Sequence, residues 1–307
     1  MSESAPKIRL QHRIEAGLAS GVLALLRKLG PARASDFGGR VARLVGPRLP
    51  VSRIAARNLT LAMPWLGGRA HRRIIRDMWE NLGRTVGEFP HIAGLERDTA
   101  AGPGWRLLGE EMLIDQAARG GAALFVSGHI GNWEVMPPVC ARYGLAFAPF
   151  YRAADNPLVD RMVRDLRREA MGIETPLFPK GAKGAREALL HIARGGHLGV
   201  LSDQKMNDGI EARLFGYPAM TPSAAAAFSL KYRAPIVLGH VRRDGPARFT
   251  LTVDRVLTPE PGPDRKADIQ ALTQTINDRM EAWIREVPAS WLWMHRRFPK
   301  AFYRPEK

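Results

Sequence analysis

A histidine and a glutamate stand five residues apart just after an apolar stretch of the chain. His129 and Glu134 follow the run Ala122–Ser127, which predicts a buried strand. On a continuous helix this spacing would set the two side chains about 140° apart, but at a turn from strand to helix they can meet. Asn132 would cap the helix and Glu134 would lie in its first turn. A carboxylate on one imidazole nitrogen fixes the tautomer, so we predict that His129 is a general base oriented by Glu134.

This pair has no nucleophile beside it. The sequence holds no G-x-S-x-G motif, and its single cysteine, Cys140, stands between Val139 and Ala141, where a small buried side chain is expected. A base at His129 would therefore act on a hydroxyl that the substrate brings. One cysteine also excludes an intramolecular disulfide and a cysteine-rich zinc site, and it fits a reducing compartment.

The sequence favours neither a metal site nor a nucleotide site. Its eight histidines are scattered, and none belongs to an H-E-x-x-H motif. The glycine-rich stretches 181–184 and 195–197 complete neither a P-loop nor a G-x-G-x-x-G motif. We therefore expect no metal ion and no cofactor.

From Gly104 onwards, short apolar runs alternate with segments of helical periodicity. This alternation predicts an α/β sheet with helices on its faces and its chemistry beyond the carboxyl ends of the strands. We expect strands at Trp105–Leu108, Ala122–Ser127, Leu145–Phe150, Leu198–Ser202, Ile236–His240 and Phe249–Val253. We expect helices at Glu110–Ala118, Trp133–Arg142, Pro157–Met171, Ala185–Arg194, Pro222–Tyr232 and Ala267–Arg285. Thr221 would cap the helix that starts at Pro222.

The first 95 residues differ from the rest in charge and periodicity. Residues 1–85 carry 16 Lys and Arg against five Asp and Glu, a net of +11 out of +16 for the whole chain. Helical patterns run from Ser52 to Leu61 and from Arg69 to Glu88. We divide the chain into an N-terminal helical, membrane-associating segment (1–95) and an α/β domain (96–307).

An uncharged run of eleven residues, Ala16–Leu26, is too short to span a bilayer, which takes about 20 residues. Glu15 before the run and Arg27, Lys28 and Arg33 after it disfavour a signal peptide. Two interpretations stay open: a helix on the membrane interface with its basic flanks at the headgroups, or an ordinary amphipathic core helix. The net charge predicts an acidic partner, which includes a membrane surface, a phosphorylated substrate, an acidic protein or nucleic acid.

The segment 128–134 reads Gly-His-Ile-Gly-Asn-Trp-Glu, which resembles the H-x-x-x-x-D/E motif of the glycerolipid acyltransferase superfamily. The sequence of this segment is most similar to that of the late (lauroyl- and myristoyl-type) acyltransferases of bacterial lipid A biosynthesis. Other stretches resemble that family in order, from about Arg57 to Phe298. They are Arg57–Leu59, Trp79–Arg84 with Glu88, Tyr151–Arg152, Asn156–Leu158, Ser202–Gln204, Phe215–Ala219 with Thr221, and Trp293–Arg297.

The resemblance implies a mixed sheet flanked by helices and an O-acyltransferase. Such an enzyme moves a fatty acyl chain from an acyl carrier protein thioester, or from acyl-CoA, to a hydroxyl of a lipid A precursor, with no acyl-enzyme. It works at the cytoplasmic face of the inner membrane. The partners that the resemblance implies are acyl carrier protein, the lipid acceptor and the anionic membrane surface, and not nucleic acid.

The same resemblance suggests roles for four further residues. Arg152 is the leading candidate for stabilising the oxyanion or for binding phosphate. Asp203 would position Arg152 or a second polar group. Asn132 and Gln204 are candidate hydrogen-bond donors to the substrate.

Two other functions remain as alternatives. An acyltransferase of the same superfamily would act on another lipid acceptor, such as a lysophospholipid, an ornithine lipid or a glycolipid. A basic nucleic-acid-binding protein would instead need basic residues interleaved with exposed aromatic side chains or a recognition helix, and neither is evident in the sequence.

Overall fold

The computed structural model describes residues 8–179 and 181–304 and begins with helices, as the sequence predicts. The first four are α1 (Leu10–Leu29), α2 (Pro31–Val45), α3 (Ser52–Ala62) and α4 (Gly68–Glu88). Glycines let α2 and α4 pack closely: a Cβ added to Gly38 would lie 2.2 Å from the carbonyl oxygen of Gly83. The backbones of the two helices therefore touch directly.

A seven-stranded mixed sheet follows the helices in the part of the chain that the structure describes. In chain order, the nine strands are β1 (Gly104–Leu108), β2 (Leu124–Ser127), β3 (Phe147–Tyr151), β4 (Phe178–Pro179), β5 (His197–Leu201), β6 (Ile210–Leu214), β7 (Tyr217–Thr221), β8 (Ile236–Gly245) and β9 (Arg248–Leu257). The sheet order is β1-β9-β8-β2-β5-β3-β4, and β6 and β7 form a separate hairpin. β2, β3, β4, β5 and β8 are parallel to one another, whereas β9 is antiparallel to β8 and β1 is parallel to β9. This confirms the mixed α/β architecture.

Helices cover both faces of the sheet. They are α5 (Glu110–Arg119), α6 (Met136–Ala141), α7 (Pro157–Met171), α8 (Ala182–Ala193), α9 (Ala224–Tyr232) and α10 (Arg265–Glu286). Each lies within a few residues of its predicted position. The strands β4, β6 and β7 were not predicted.

One expected helix start is wrong. Thr221 does not cap a helix that begins at Pro222, because Thr221 ends β7 and α9 begins at Ala224. The Thr221 hydroxyl is fully buried and accepts a hydrogen bond of 2.7 Å from the guanidinium of Arg297. Strand pairing between β6 and β7 and the hydrogen bond to the buried Arg297 guanidinium therefore outweigh the preference of Thr221 for a helix cap.

The central strand β2 is buried on both faces. Leu124 and Val126 pack into a core cluster with α3, α4, α9 and α10, while Phe125 packs into a second cluster with α5 and α6. A parallel strand covered on both faces reads as a continuous apolar run, which is why the sequence predicts it clearly. The carboxyl end of this rigid strand is where the candidate site begins.

The N-terminal helix α1 packs only lightly on the rest of the molecule. It buries Leu26, while Leu10, Ile14, Leu18 and Val22 lie exposed at intervals of four residues. Within residues 8–179 and 181–304, no helix combines the length and the hydropathy needed to cross a bilayer.

Candidate active site

Two neighbouring parallel strands bring His129 and Asp203 together at the carboxyl edge of the sheet. β2 pairs with β5 so that Ser127 lies opposite Leu201, and the N–H of Ser202 donates to Ser127 O at 3.0 Å. Continued by two residues, this register sets His129 opposite Asp203. The imidazole Nδ1 lies 2.9 Å from Asp203 Oδ1, and the backbone N–H of His129 donates to Oδ2 at 3.0 Å.

The Asp203 carboxylate is buried and ionised. Its side chain is 1% exposed, and the indole N–H of Trp291 donates to Oδ2 at 2.8 Å. Burial alone would raise the pKa of this carboxyl group. The adjacent His129 imidazole and the hydrogen bonds from His129 and Trp291 outweigh burial and hold the pKa of Asp203 well below its usual range.

A carboxylate at Nδ1 leaves Nε2 as the nitrogen of His129 that can act on a substrate. A neutral imidazole has one N–H, and an ionised carboxylate only accepts, so the hydrogen lies on Nδ1 and the lone pair on Nε2. The His129 side chain is 17% exposed, which lets a substrate hydroxyl reach it. The ring of Trp133 meets the imidazole edge-on, with centroids 4.9 Å apart. This geometry is suited to general-base catalysis.

The loop that carries His129 is clamped by the segment after α10. Gly131 N donates to Ser290 O at 2.9 Å, and Leu292 N donates to His129 O at 3.3 Å. Gly131 adopts φ +61°, and a Cβ there would lie 2.0 Å from the carbonyl oxygen of Val241. Only glycine fits this turn. The same clamp delivers the neighbouring Trp291 side chain to Asp203.

Glu134 faces a different partner from the one predicted. Its two carboxylate oxygens accept hydrogen bonds of 2.6 and 2.9 Å from Arg167 on α7, and Trp133 Nε1 donates to Oε1 at 3.2 Å. A guanidinium offers two parallel N–H groups that match a carboxylate, which explains the choice. Burial lowers the pKa of Arg167, but the charge of Glu134 outweighs it and the pKa is raised. The expectation that Glu134 orients His129 is therefore corrected: Asp203 contacts the imidazole, and Glu134 links the loop to α7.

Asn132 caps the turn after β2, as predicted, and its side chain is fully buried. Its Oδ1 accepts from the N–H of Glu134 at 3.3 Å, and its Nδ2 donates to Glu88 Oε2 at 2.8 Å. The expectation that Asn132 donates to the substrate is therefore corrected, because Asn132 is fully buried and its amide contacts the cap and Glu88.

Glu88 is the centre of a buried network behind the loop. The Ser35 hydroxyl donates to its Oε1 at 2.6 Å, the backbone N–H of Ala247 donates at 3.0 Å, and Arg243 forms an ion pair with it. Asn81 adds a hydrogen bond of 3.0 Å to the carbonyl oxygen of Gly131. We name two groups from here on. The support cluster is Ser35, Asn81, Glu88, Asn132 and Arg243. The reaction cluster is His129, Asp203, Gln204, Trp291 and His295.

The remaining expected residues divide between the edge of the site and its centre. Arg152 follows β3, the neighbour of β5, but its side chain is exposed and makes no hydrogen bond or ion pair with residues 8–179 and 181–304. Asp203 therefore positions His129 and not Arg152. Gln204 lies at the centre, with Nε2 3.5 Å from His129 Nε2 and 3.0 Å from His295 Nε2.

Sequence reasoning missed Trp291, His295 and Arg167 as parts of the site. Trp291 and His295 come from the far end of the chain, and nothing local signals that they fold over the loop after β2. His295 had one signal, the resemblance of the stretch Trp293–Arg297 to the acyltransferase family, and Trp291 lies just outside that stretch. Arg167 belongs to a helix with several arginines, and the sequence gives no reason to choose Arg167 among them as the partner of Glu134.

The single cysteine plays no part in the site. Cys140 is buried in the second core cluster, and burial raises the pKa of its thiol to about 12. This confirms the expectation of a small buried side chain and leaves the site without a cysteine nucleophile.

Comparison with known proteins identifies the family. The bacterial lipid A biosynthesis acyltransferase family matches residues 2–300, which is nearly the whole chain of 307 residues. No curated protein matches the chain. The family match covers the helical N-terminal part as well as the sheet with the His129 loop. The chain therefore belongs to the bacterial lipid A biosynthesis acyltransferase family.

Proposed function

We propose that this acyltransferase moves a fatty acyl chain from an acyl carrier protein thioester to a hydroxyl of a lipid A precursor. The observation that carries the proposal is the His129 imidazole, whose Nδ1 lies 2.9 Å from the buried Asp203 carboxylate and whose side chain is partly exposed. A base of this kind acts on a hydroxyl, and the family supplies the acyl-transfer reaction. Acyl-CoA is the alternative donor, and no cofactor takes part.

In the reaction that we propose, the acceptor hydroxyl gives its proton to His129 Nε2 as its oxygen attacks the thioester carbonyl carbon. The carbonyl electron pair moves to oxygen, which becomes an oxyanion. When the C=O bond re-forms, the C–S bond breaks, and the leaving thiolate takes the proton from Nε2. The imidazole returns to its neutral form, and the ionised Asp203 stabilises the transient imidazolium.

The oxyanion needs a hydrogen-bond donor or a positive charge close to His129. Gln204 supports this role best, because its amide nitrogen lies 3.5 Å from Nε2. Arg152 stands at the exposed end of β3, next to β5, and is a candidate for an anionic group of either substrate.

A phosphorylated acceptor also has a candidate site on α7. Four arginines line a cavity of about 420 Å³ together with Asp165, Glu174 and Thr175. They are Arg161, Arg164, Arg167 and Arg168. Arg164, Arg167 and Arg168 already form ion pairs with carboxylates. The guanidinium that favours a further anion here is that of Arg161. Since Arg167 also holds Glu134, a phosphate bound here would lie beside the His129 loop.

The exposed side of the N-terminal helices supports association with an anionic membrane surface. Leu10, Ile14, Leu18 and Val22 form a stripe on α1, and Phe37 is exposed on the adjoining α2. Basic residues flank the stripe in sequence: Arg9, Arg13, Arg27 and Lys28. An apolar stripe between basic side chains is typical of a helix that lies in the headgroup region. We propose that the enzyme works in this way at the cytoplasmic face of the inner membrane.

The test uses the purified full chain with acyl carrier protein and CoA thioesters of several chain lengths. A lipid A precursor, a lysophospholipid and an ornithine lipid serve as acceptors, and mass spectrometry reports the product. We expect an ester-linked acyl chain on the lipid A precursor. The Cys140→Ala variant should retain this activity, because no acyl-enzyme forms. Transfer to the other acceptors alone would overturn the proposed acceptor, and no transfer to any acceptor would overturn the reaction.

A further inference from the structure

The Gln204 amide lies between two imidazole rings. Its Nε2 is 3.0 Å from Nε2 of His295 and 3.5 Å from Nε2 of His129. An amide nitrogen carries two hydrogens and can donate to both rings. The contact with His295 has an ordinary hydrogen-bond length, while the one with His129 is at the limit for such a bond. One N–H of Gln204 is thus firmly engaged, and the other lies next to the base.

The chemistry of the site decides which end of the amide faces the imidazoles. Because Asp203 holds the proton of His129 on Nδ1, Nε2 of His129 presents a lone pair. An amide oxygen facing that lone pair would be repelled, whereas an amide N–H is attracted. His295 must then accept the second N–H through its own Nε2, and it supplies the contact that keeps the amide from turning over.

The backbone around His295 is held in place by hydrogen bonds from a buried side chain. Asn58 is fully buried and donates to the carbonyl oxygens of Trp293 and His295 at 2.6 and 2.7 Å. The segment that carries His295 is therefore anchored to α3. The two imidazole centroids lie 6.1 Å apart, and the Gln204 amide nitrogen bridges their Nε2 atoms.

We propose that His295 is a positioning residue for acyl transfer: it holds the Gln204 amide so that one N–H points to the thioester carbonyl oxygen, which becomes the oxyanion beside His129. This inference rests on the proposed acyl transfer. The acceptor hydroxyl at His129 Nε2 attacks the thioester carbonyl carbon, so the carbonyl oxygen comes within reach of the second Gln204 N–H, which stabilises the oxyanion. Without His295 the amide can rotate and present its own oxygen, which repels the same charge.

The test compares His295→Leu, which cannot accept a hydrogen bond, with His295→Gln, whose amide oxygen can occupy the position of Nε2. We expect kcat of His295→Leu to fall about 10- to 100-fold with KM for the acceptor nearly unchanged. His295→Gln should recover most of the rate. Circular dichroism and the melting temperature establish that both variants are folded. A folded His295→Leu with the wild-type kcat, or a Gln variant as slow as the Leu variant, would overturn the proposal.

A double-mutant cycle separates positioning from independent action. If His295 acts through Gln204, then Gln204→Ala combined with His295→Leu should be no slower than Gln204→Ala alone. Losses that multiply would contradict the positioning role. Every comparison is made against the wild-type rate in the same assay. A wild-type protein that transfers no acyl chain overturns the proposed function, whereas an active wild type with an unaffected His295→Leu overturns only this inference.

Discussion

Two polar clusters contact the same short loop, and they differ in how far their side chains are exposed. In the reaction cluster, buried Asp203 orients His129, which stays 17% exposed. In the support cluster, the Glu88 side chain is 0% exposed, and its ion-pair partner Arg243 is only 12% exposed. Asp203 thus contacts a side chain that a substrate can reach, whereas Glu88 contacts side chains that are largely buried.

The difference teaches that burial of a carboxylate does not by itself indicate a catalytic role. Both Asp203 and Glu88 accept several hydrogen bonds, and both are fixed by distant parts of the chain. Of these two carboxylates, Asp203 is the one that contacts an imidazole, and that imidazole side chain is partly exposed. We therefore expect substitutions in the reaction cluster to lower the rate and substitutions in the support cluster to lower the stability.

The largest expected effect on the rate is that of His129→Asn. The asparagine amide can still donate to Asp203 but cannot take a proton, so kcat should fall about 10²- to 10⁴-fold. Steady-state acyl transfer measures it, and the free energy of unfolding should change by less than about 1 kcal/mol. His71→Asn is the control, since His71 contacts only the carbonyl oxygen of Met63 among the hydrogen bonds of residues 8–179 and 181–304. A folded His129→Asn protein with the wild-type rate would show that the reaction cluster has no role in acyl transfer.

Glu88→Gln should give the largest loss of stability. It leaves the buried Arg243 without its carboxylate, which costs about 3–5 kcal/mol in the free energy of unfolding. Chemical denaturation measures this change. Glu111→Gln, at an exposed position on α5, should change it by less than about 0.5 kcal/mol. A Glu88→Gln protein with wild-type stability and lost activity would contradict the assignment of Glu88 to stability.

Glu134→Gln should have a smaller effect than either. It weakens the bidentate contact with Arg167, which is 31% exposed, so the loop is less firmly held but the base stays in place. We expect kcat to fall about tenfold, equivalent to about 1.4 kcal/mol. Arg167→Lys, which loses the two-pronged geometry, should match it. If Glu134→Gln is as slow as His129→Asn, then Glu134 acts on the chemistry and belongs with the reaction cluster.

The smallest effect on the enzyme itself is expected on α1. Leu18→Gln removes one apolar side chain from the exposed stripe and should weaken binding to vesicles that contain anionic lipid by about tenfold or less. Stability should change by less than about 0.5 kcal/mol. Ile114→Gln, exposed on α5, is the matched control and should bind vesicles like the wild type. Equal losses from both substitutions would contradict the proposed membrane contact.

The sequence predicts best what depends on local pattern. A short stretch of residues is enough to predict each of four features: the buried β2, the long α7 and α10, and the cap at Asn132. The mixed sheet follows from the alternation of elements and from the family resemblance. The two-residue strand β4 and the β6–β7 hairpin were missed because each is stabilised by pairing with its partner more than by its own periodicity.

The partner of His129 could not be predicted without the strand order. Glu134 is five residues away in sequence, whereas Asp203 is 74 residues away and becomes its neighbour only because β2 lies beside β5. Trp291 and His295 come from still farther along the chain. Proximity in sequence favoured the wrong carboxylate, and the register of two parallel strands corrects it.

The most direct test of the central claim, that Asp203 orients His129 as the base, is the pH dependence of kcat/KM for wild type and Asp203→Asn. Asp203 stays ionised because its pKa lies well below the usual range, so the acid limb of the wild type should have a slope of one. Without the neighbouring negative charge, an imidazolium is less favoured, so the limb of Asp203→Asn should move to lower pH and its plateau should fall about 100-fold or more. A folded Asp203→Asn protein with the wild-type plateau and an unmoved limb would contradict the claim.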